Sequence, residues 1–343
     1  MPQGSIIFDR GLLRARRRRA MAQGAATFLL DHVARDLNDR LASVLRRFDL
    51  AVDLGTPGDQ VRLALAVGGK IGTLIGVDAL ADRFSLPRLR GRVGEGEGRD
   101  SPSPLPSSVA RRPPPQAGEV KTSSTSTGNS ADLVIAADEE ALPFRAASLG
   151  LVVSALALHF VNDLPGTLIQ IRRALKPDGL FLAAMLGGDT LTELRQAFAE
   201  AEAEMEGGMS PRVAPFPDLR DLGALLQRAG FALPVSDVDR LTVRYGSVFS
   251  LMHDLRRMGA TNALTERRRI PLRRKTLMQM AEIYARRFAD ADGRLRATFE
   301  IVWLSGWAPD ESQQKPLPPG SAKMRLADAL GTTEIPAGEK AGR

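Results

Sequence analysis

The stretch DLAVDLGTPGDQVRLALAVGGKIGTLIGVD, residues 49–78, decides the fold. Its apolar run at 49–54 ends in a Gly and Pro turn, residues 60–67 follow a helical pattern, and residues 72–78 form a second apolar run. Short and nearly continuous apolar runs are typical of strands that are buried on both faces of a parallel sheet. The stretch therefore predicts a strand, a helix and a second strand of an α/β domain.

The same alternation continues further along the chain. Apolar runs predict strands at 131–136, 149–154 and 180–185. A helix at 164–175 joins the last two strands, and Asp163 is its predicted N-cap. Strands that alternate with helices in this way predict a doubly wound parallel sheet.

Beyond Gly188 the pattern changes to long helices, followed by one more strand-like run. Apolar residues in this half recur at the three- and four-residue spacing of a helix face. The predicted helices lie at 190–206, 218–230, 247–259 and 277–288, and the predicted strand lies at 298–304.

Residues 88–130 interrupt this pattern, since nearly half of them are Pro, Gly or Ser and none is aromatic. A segment of this composition buries too little apolar surface to offset the entropy of ordering it, so we predict a disordered insertion. The insertion divides a predicted domain at 46–310. A basic helical arm is predicted before it, at 1–45, and a polar tail after it, at 311–343.

The net charge of +7 lies mostly outside the predicted domain. Residues 1–20 contribute +5 and the insertion contributes +3, which leaves about −1 for the remainder. Nucleic-acid binders carry basic charge on the folded surface that meets phosphate, so this distribution predicts no nucleic-acid partner. The arginine run at 14–19 indicates a helical arm that faces solvent or an acidic partner, and a targeting or surface-binding segment is the alternative.

Two further features exclude whole classes of protein. The chain has no cysteine, which excludes disulfides, cysteine-ligated zinc and thiol catalysis. Its longest apolar stretch, residues 151–161, is much shorter than a membrane-spanning helix requires, so no integral membrane segment is predicted.

Carboxylates follow three successive predicted strands, at the sheet edge where open α/β folds bind ligands. A glycine after the first strand lets the backbone approach a nucleotide, a carboxylate after the second accepts ribose hydroxyls, and one after the third meets an adenine amino group. We therefore predict a nucleotide-type ligand, against ordinary strand-end caps as the alternative. The predicted binding residues are Asp53, Gly55 and Gly58 after the first strand, Asp78 after the second, and Asp138 and Glu139 after the third.

His159 follows the fourth predicted strand and is the best candidate for acid–base or orienting chemistry, together with Ser154 and Asn162. The alternative is a hydrogen-bonded histidine in the core. His32 and His253 lie far away in sequence, and no pair of histidines has the spacing of metal ligands. We therefore predict no metal site.

Several segments resemble the complex I assembly factor 5 family. They are the Asp-x-Gly turn at 53–55, ADEEALPF at 137–144, LVVSALALHFVNDLP at 151–165, LKPDGLFLAAMLGGDTLTELR at 175–195 and GWAPDESQQKPLPPGSA at 306–322. That family belongs to the class I S-adenosylmethionine-dependent methyltransferases and is similar to the malonyl-carrier-protein methyltransferase of biotin synthesis. The resemblance implies a Rossmann-like, doubly wound, seven-stranded fold with extra C-terminal helices.

The resemblance also implies S-adenosylmethionine as the cofactor and a protein substrate, a subunit of respiratory complex I. The reaction it implies is methylation or the hydroxylation of an arginine. A bacterial member would be cytoplasmic, and a eukaryotic member would lie in the mitochondrial matrix.

One departure from the methyltransferase pattern concerns the first loop, in which Pro57 and Asp59 replace glycines. Proline lacks an N–H group, so a backbone donor is lost and the expected affinity for the cofactor falls. A non-catalytic chaperone that binds adenosylmethionine is therefore an alternative to an enzyme. An NAD-binding oxidoreductase is less favoured, since the Gly-x-Gly-x-x-Gly motif is absent.

Overall fold

The computed structural model describes residues 6–80, 133–314, 321 and 324–333. The strands in this part of the chain are β1 (Phe48–Leu54), β2 (Ile71–Val77), β3 (Val134–Ile135), β4 (Leu149–Ala155), β5 (Leu175–Leu186), β6 (Ala232–Tyr245) and β7 (Leu295–Trp307). The α-helices are α1 (Arg10–Ala22), α2 (Phe28–Ser43), α3 (Gln60–Val67), α4 (Leu164–Ala174), α5 (Thr192–Glu206), α6 (Leu219–Arg228), α7 (Val248–Arg257), α8 (Arg274–Phe288) and α9 (Leu326–Leu330).

The strands form one seven-stranded sheet in the order β3-β2-β1-β4-β5-β7-β6. Neighbouring strands from β3 to β5 are parallel, whereas β7 is antiparallel to both β5 and β6. β1 and β4 lie side by side where the order of strands reverses, and ligands of open α/β sheets bind beyond the carboxyl ends of strands at such a point. This topology confirms the doubly wound, seven-stranded fold.

Helices cover both faces of the sheet. One apolar core includes residues of α2, α3, α5, α7 and α8, and a second core on the other face includes residues of α4 and α6. Successive residues of β4 contribute to opposite cores, with Leu151 and Val153 in the first and Val152 in the second. This alternation explains why the strand is apolar on both faces, with Ser154 as its one polar side chain.

The predicted helical arm at 1–45 consists of α1 and α2. α2 buries Val33 and Leu37 completely in the first core, so it packs as part of the main domain. α1 lies over the region that follows β4, where Leu13 joins Phe8 and Phe160 in a small separate cluster. Both helices are therefore attached to the domain by apolar contacts.

β6 is a 14-residue strand that lies between the predicted helices at 218–230 and 247–259, where the sequence pattern predicted no element. β6 lies at the edge of the sheet, and its exposed and partly buried residues alternate along most of its length. Charged side chains on it are paired with α2, since Arg40 binds Asp237 and His32 binds Asp239 at 2.8 Å. Such a polar edge strand lacks the continuous apolar run by which the other strands were found.

The predicted insertion at 88–130 lies outside the described residues. On either side of it, β2 and β3 pair in parallel, with Gly76 opposite Val134. Of the predicted tail at 311–343, the structure describes residues 311–314, 321 and 324–333. In the described part of the chain, no helix has both the length and the apolar character that a membrane span requires.

Candidate functional site

The loop after β1 is fixed by its own side chains. Asp53 is buried, and its carboxylate accepts a hydrogen bond from the Thr56 hydroxyl and lies 3.4 Å from the guanidinium of Arg62. Burial raises the pKa of Asp53 to about 6, although Thr56 and Arg62 act in the opposite direction. Asp53, which was predicted to bind a ligand, is buried and stabilises the loop through its contacts with Thr56 and Arg62.

The loop residues that replace glycines have different surroundings. Asp59 forms an ion pair with Arg62, which offsets its negative charge. Pro57 lines a cavity that is described below. Between them Gly58 has a φ of +124°, and its N–H donates to the Thr56 carbonyl at 2.9 Å. Gly58 therefore closes a tight turn, for which a residue with a Cβ is poorly suited.

Gly55 is the residue of the β1 loop that the Glu139 side chain approaches most closely. Its φ is +70°, and a Cβ at this position would lie 2.6 Å from Oε1 of Glu139. The glycine therefore leaves open the space that sequence reasoning predicted for a ligand. In the structure, the Glu139 side chain occupies that space.

The acidic segment after β3 is neutralised by α1. Arg10 forms ion pairs with Asp138 at 2.8 Å, with Glu139, and with Glu140 at 2.9 Å, and Arg14 forms another with Asp138. Burial opposes the ionisation of Asp138, but the Glu140 N–H and the two arginines outweigh it and lower its pKa. Arg14 of the arginine run thus has an acidic partner within the chain itself.

Asp78 lies at the end of β2, as predicted, and it is buried. Its carboxylate accepts the Leu80 N–H at 2.8 Å. Among the described residues, no cation lies within ion-pair distance of Asp78. The space beside it, between α1 and Glu139, has a volume of only about 10 Å³.

His159 lies in a short 3₁₀ turn (Leu158–Phe160) that follows β4, and its side chain is buried. Its Nδ1 accepts the Leu186 N–H at 3.4 Å, so the ring proton lies on Nε2. Nε2 is buried and has no hydrogen-bond partner within the described structure. Burial, together with the positive charge of Arg17, lowers the pKa of His159 to about 3.

We predicted acid–base or orienting chemistry for His159, and these surroundings suit the orienting role of a neutral hydrogen-bond donor better than the acid–base role. A general base is most effective when its pKa lies near the working pH, and a value of about 3 is far below neutrality. An unpaired N–H group in a buried position is unfavourable unless a ligand or water accepts from it.

Ser154 and Asn162, the other two candidates, make structural contacts. The Ser154 hydroxyl donates to the carbonyl of Leu54 at 2.7 Å and joins the ends of β4 and β1. The Asn162 side-chain oxygen accepts the N–H groups of Ile7 and Phe8 at 2.9 and 2.7 Å and holds the segment before α1. Neither side chain lines the cavity beside His159, and the catalytic roles predicted for them from sequence stay predictions.

That cavity lies beyond the carboxyl ends of β4 and β5 and has a volume of about 280 Å³. Its walls are mainly apolar side chains of α1, α2, α5, α7 and the segment that follows α5. Pro57, His159 and Leu186 line it on the side of the sheet, and Arg17 lines it from α1. The cavity is therefore placed where doubly wound sheets bind their ligands.

Sequence reasoning missed the three arginines of α1 that contribute to this region, which are Arg10, Arg14 and Arg17. Their spacing of four and then three residues places them on one face of a helix, whereas the remaining arginines of the run fall elsewhere. That spacing is the signal that would have separated site residues from solvated ones.

The described residues contain no group of three or more His, Asp or Glu side chains arranged to hold a metal ion. His32, which lies on α2, pairs with Asp239.

Comparison with known proteins connects this geometry to a family. The family described as "Methyltransferase domain" matches residues 115–183. The chain is 33% identical to Arginine-hydroxylase NDUFAF5, mitochondrial, of Danio rerio, over 95% of this chain and 90% of that protein. The Homo sapiens protein of the same name is 35% identical, over 99% of this chain and 88% of that protein.

A more distant similarity extends to carrier-protein methyltransferases. The Malonyl-[acyl-carrier protein] O-methyltransferase of Laribacter hongkongensis is 40% identical over 55% of this chain and 61% of that protein. Two relatives more than 30% identical over nearly the full length, together with the sheet order, establish the family. The chain belongs to the NDUFAF5 family, within the class I S-adenosylmethionine-dependent methyltransferases.

Proposed function

We propose that this protein binds S-adenosylmethionine and modifies an arginine side chain of a protein substrate. The observation that carries the proposal is the cavity beyond β4 and β5, which a buried His159 with an unpaired N–H group lines beside the predicted cofactor loop. The arginine substrate is supported by the name of the relatives, which are arginine hydroxylases.

The residues at the strand ends fit the cofactor in type and position. In this proposal Asp78 accepts the ribose hydroxyls, and Gly55 permits close approach of the loop to the ligand. Asp138 accepts a hydrogen bond from the adenine amino group. The side chains of Arg10 and Glu139 fill the space between Asp78 and Asp138. Both side chains must therefore change conformation before adenosine can bind.

The bound cofactor would supply a methyl group on a sulfonium centre. The chain itself would hold the cofactor through Asp78 and the β1 loop, exclude water with the apolar cavity walls, and orient an acceptor atom with the Nε2–H of His159. Methylation of the arginine follows from these roles, whereas hydroxylation would also require dioxygen and a two-electron reductant as co-reactants.

We further propose that the substrate is a subunit of respiratory complex I. The resemblance to the assembly-factor family and the mitochondrial relatives support this assignment. It places the protein in the mitochondrial matrix of a eukaryote or in the cytoplasm of a bacterium.

Mass spectrometry of complex I subunits tests the reaction. Subunits from cells that contain this protein should carry an arginine with one added oxygen atom or one added methyl group, and subunits from cells that lack it should not. Identical subunit masses in both samples would exclude the modification.

Calorimetric binding of S-adenosylhomocysteine tests the cofactor site. Asp78→Ala should weaken binding by about tenfold or more, because a buried carboxylate that accepts ribose hydroxyls is removed. Asp163→Ala is a control that loses the N-cap of α4 and leaves the strand ends intact. Equal affinities in wild type and Asp78→Ala would show that Asp78 does not hold the ribose.

A non-catalytic chaperone is the second candidate. It is favoured by Pro57 and Asp59 in the loop and by the Arg10–Glu139 ion pair in the adenosine space. An Asp78→Ala variant that binds no cofactor yet restores complex I to cells lacking the protein would support the chaperone.

A further inference from the structure

Arg17 is a buried cation without a counter-ion in contact. Its side chain belongs to α1 and is 92% buried, since its exposed fraction is 8%. Within the described structure it has no hydrogen bond and no ion pair, and its guanidinium carbon lies 5.5 Å from the centre of the Phe160 ring. The carboxylates of Glu139 and Asp78 influence it without contacting it. A buried charge left in this state is strongly unfavourable.

The other arginines that line the cavity are satisfied. Arg212 binds Glu202, with its Nε at 2.6 Å from the carboxylate. Arg257 donates to the Gly24 carbonyl at 2.8 Å, and Arg256 is exposed to solvent. Arg17 is therefore the cation among these whose charge faces the cavity uncompensated.

His159 contributes a second unsatisfied donor to the same cavity. Its Nε2 is buried and unpaired, and its Nδ1 is already occupied by the Leu186 N–H. His159 and Arg17 thus contribute a neutral N–H donor and a guanidinium to one cavity. A ligand that satisfies both is a hydrogen-bond acceptor with a negative charge. The apolar walls exclude a strongly hydrated inorganic anion and favour a carboxylate on an organic molecule.

We propose that Arg17 and His159 form a carboxylate-binding subsite of this cavity. Two ligands present this chemistry: the amino-acid end of the cofactor, and a carboxylate of a separate organic substrate. The first source rests on the proposed function, whereas the second does not. Pro57 of the cofactor loop lines the same cavity, so the amino-acid end of the cofactor lies within reach of the subsite.

Binding experiments with the full chain distinguish the sources. The variants are Arg17→Met, which keeps an apolar stem against Phe160, and Arg19→Met, a matched control that loses an exposed arginine from the same helix. Arg17→Lys keeps the charge and serves as a second variant. The probes are S-adenosylhomocysteine and 5′-methylthioadenosine, which lacks the amino-acid end and its carboxylate.

If the cofactor supplies the carboxylate, Arg17→Met should weaken S-adenosylhomocysteine binding by about tenfold or more and leave 5′-methylthioadenosine binding unchanged. Arg17→Lys should fall between wild type and Arg17→Met, and Arg19→Met should equal wild type. His159→Phe should weaken the same probe by a smaller factor, because it removes a neutral donor.

A second arm uses hexanoate and 1-hexanol at millimolar concentration, with the melting temperature as the readout. If a separate substrate supplies the carboxylate, hexanoate should stabilise wild type and Arg19→Met but not Arg17→Met. Hexanol, which has no charge, should affect the three proteins equally.

Failure of wild type to bind S-adenosylhomocysteine and 5′-methylthioadenosine contradicts the proposed cofactor, and the hexanoate experiment then tests the subsite alone. Folded Arg17→Met that matches wild type with all four probes overturns the proposal.

Discussion

His159 shows how the surroundings of one residue determine its chemistry. Its ring is buried beside Arg17, which lowers its pKa to about 3, and the Leu186 N–H fixes the proton on Nε2. We expect the ring to remain neutral with the proton on Nε2 from about pH 7 down to about pH 5, where a free histidine is mostly charged. Nitrogen-15 NMR measures both properties, and titration of this ring near pH 6.5 would contradict the arrangement.

Asp53 should make stability depend on pH in the direction opposite to most carboxylates. Its pKa is raised from 3.8 to about 6, so the folded state holds the proton more tightly than the unfolded state. This contribution to stability is present below about pH 4 and is lost as the pH rises through about 6, for a total of about 3 kcal/mol. Urea unfolding measures it.

The comparison for this measurement is Asp53→Asn, which cannot titrate. The free energy of unfolding of wild type minus that of Asp53→Asn should fall between about pH 4 and about pH 7. A difference that stays constant, or that rises with pH, would show that Asp53 is ionised without penalty.

Site residues were predictable from sequence where strand position alone places them. Asp78 and Gly55 follow buried strands, and the structure puts them at the sheet edge as expected. Ser154 and Asn162 also lie near strand ends, but their side chains bind Leu54 and the segment before α1 instead of the cavity. Side-chain direction depends on tertiary partners far away in sequence, which strand position does not reveal.

At the scale of elements, α1 contacts the acidic segment that borders the proposed adenosine site. Arg10 contacts three carboxylates of the segment after β3, and this arrangement competes with the cofactor. Arg10→Gln should therefore lower the melting temperature of the free protein and strengthen S-adenosylhomocysteine binding by about fivefold, equivalent to about 1 kcal/mol.

Thermal unfolding and calorimetry check both parts of this prediction. Arg19→Gln, an exposed substitution on the same helix, should change neither quantity. Weaker binding by Arg10→Gln would mean that Arg10 belongs to the bound site and does not compete with the cofactor.

The positions of strands were easier to predict from sequence for buried strands than for exposed ones. β1, β2 and β4 are mostly apolar and were located within one or two residues. β6 was missed because it is an edge strand whose charged residues pair with α2. The packing of α1 on the acidic segment was also missed, because a run of arginines is usually solvated and the pairing partners lie more than a hundred residues away.

At the scale of the whole molecule, we expect the sheet to form without most of the predicted insertion. Deletion of 90–128 leaves residues 78–89 and 129–133 to connect β2 with β3, and these 17 residues exceed the dozen or so that a parallel crossover requires. A shorter connection also reduces the entropy of closing the loop, by about 1 kcal/mol in total. The deletion variant should therefore unfold at the same temperature as wild type or slightly above it.

Circular dichroism and S-adenosylhomocysteine binding measure the outcome of the deletion. Retained affinity would show that the insertion is dispensable for the site. A variant that is expressed but unfolded would show that residues 90–128 contribute to the core.

α1 supplies Arg10, Arg14 and Arg17 from the part of the chain that precedes the sheet, while the matched methyltransferase domain covers only residues 115–183. Part of the proposed ligand chemistry is thus supplied by a helix that precedes the sheet. We expect an exchange of this helix to change the ligand preference of the proposed site with the sheet left unchanged. For protein engineering, a chimera that receives α1 from a carrier-protein methyltransferase is the shortest route to a new ligand preference on this fold.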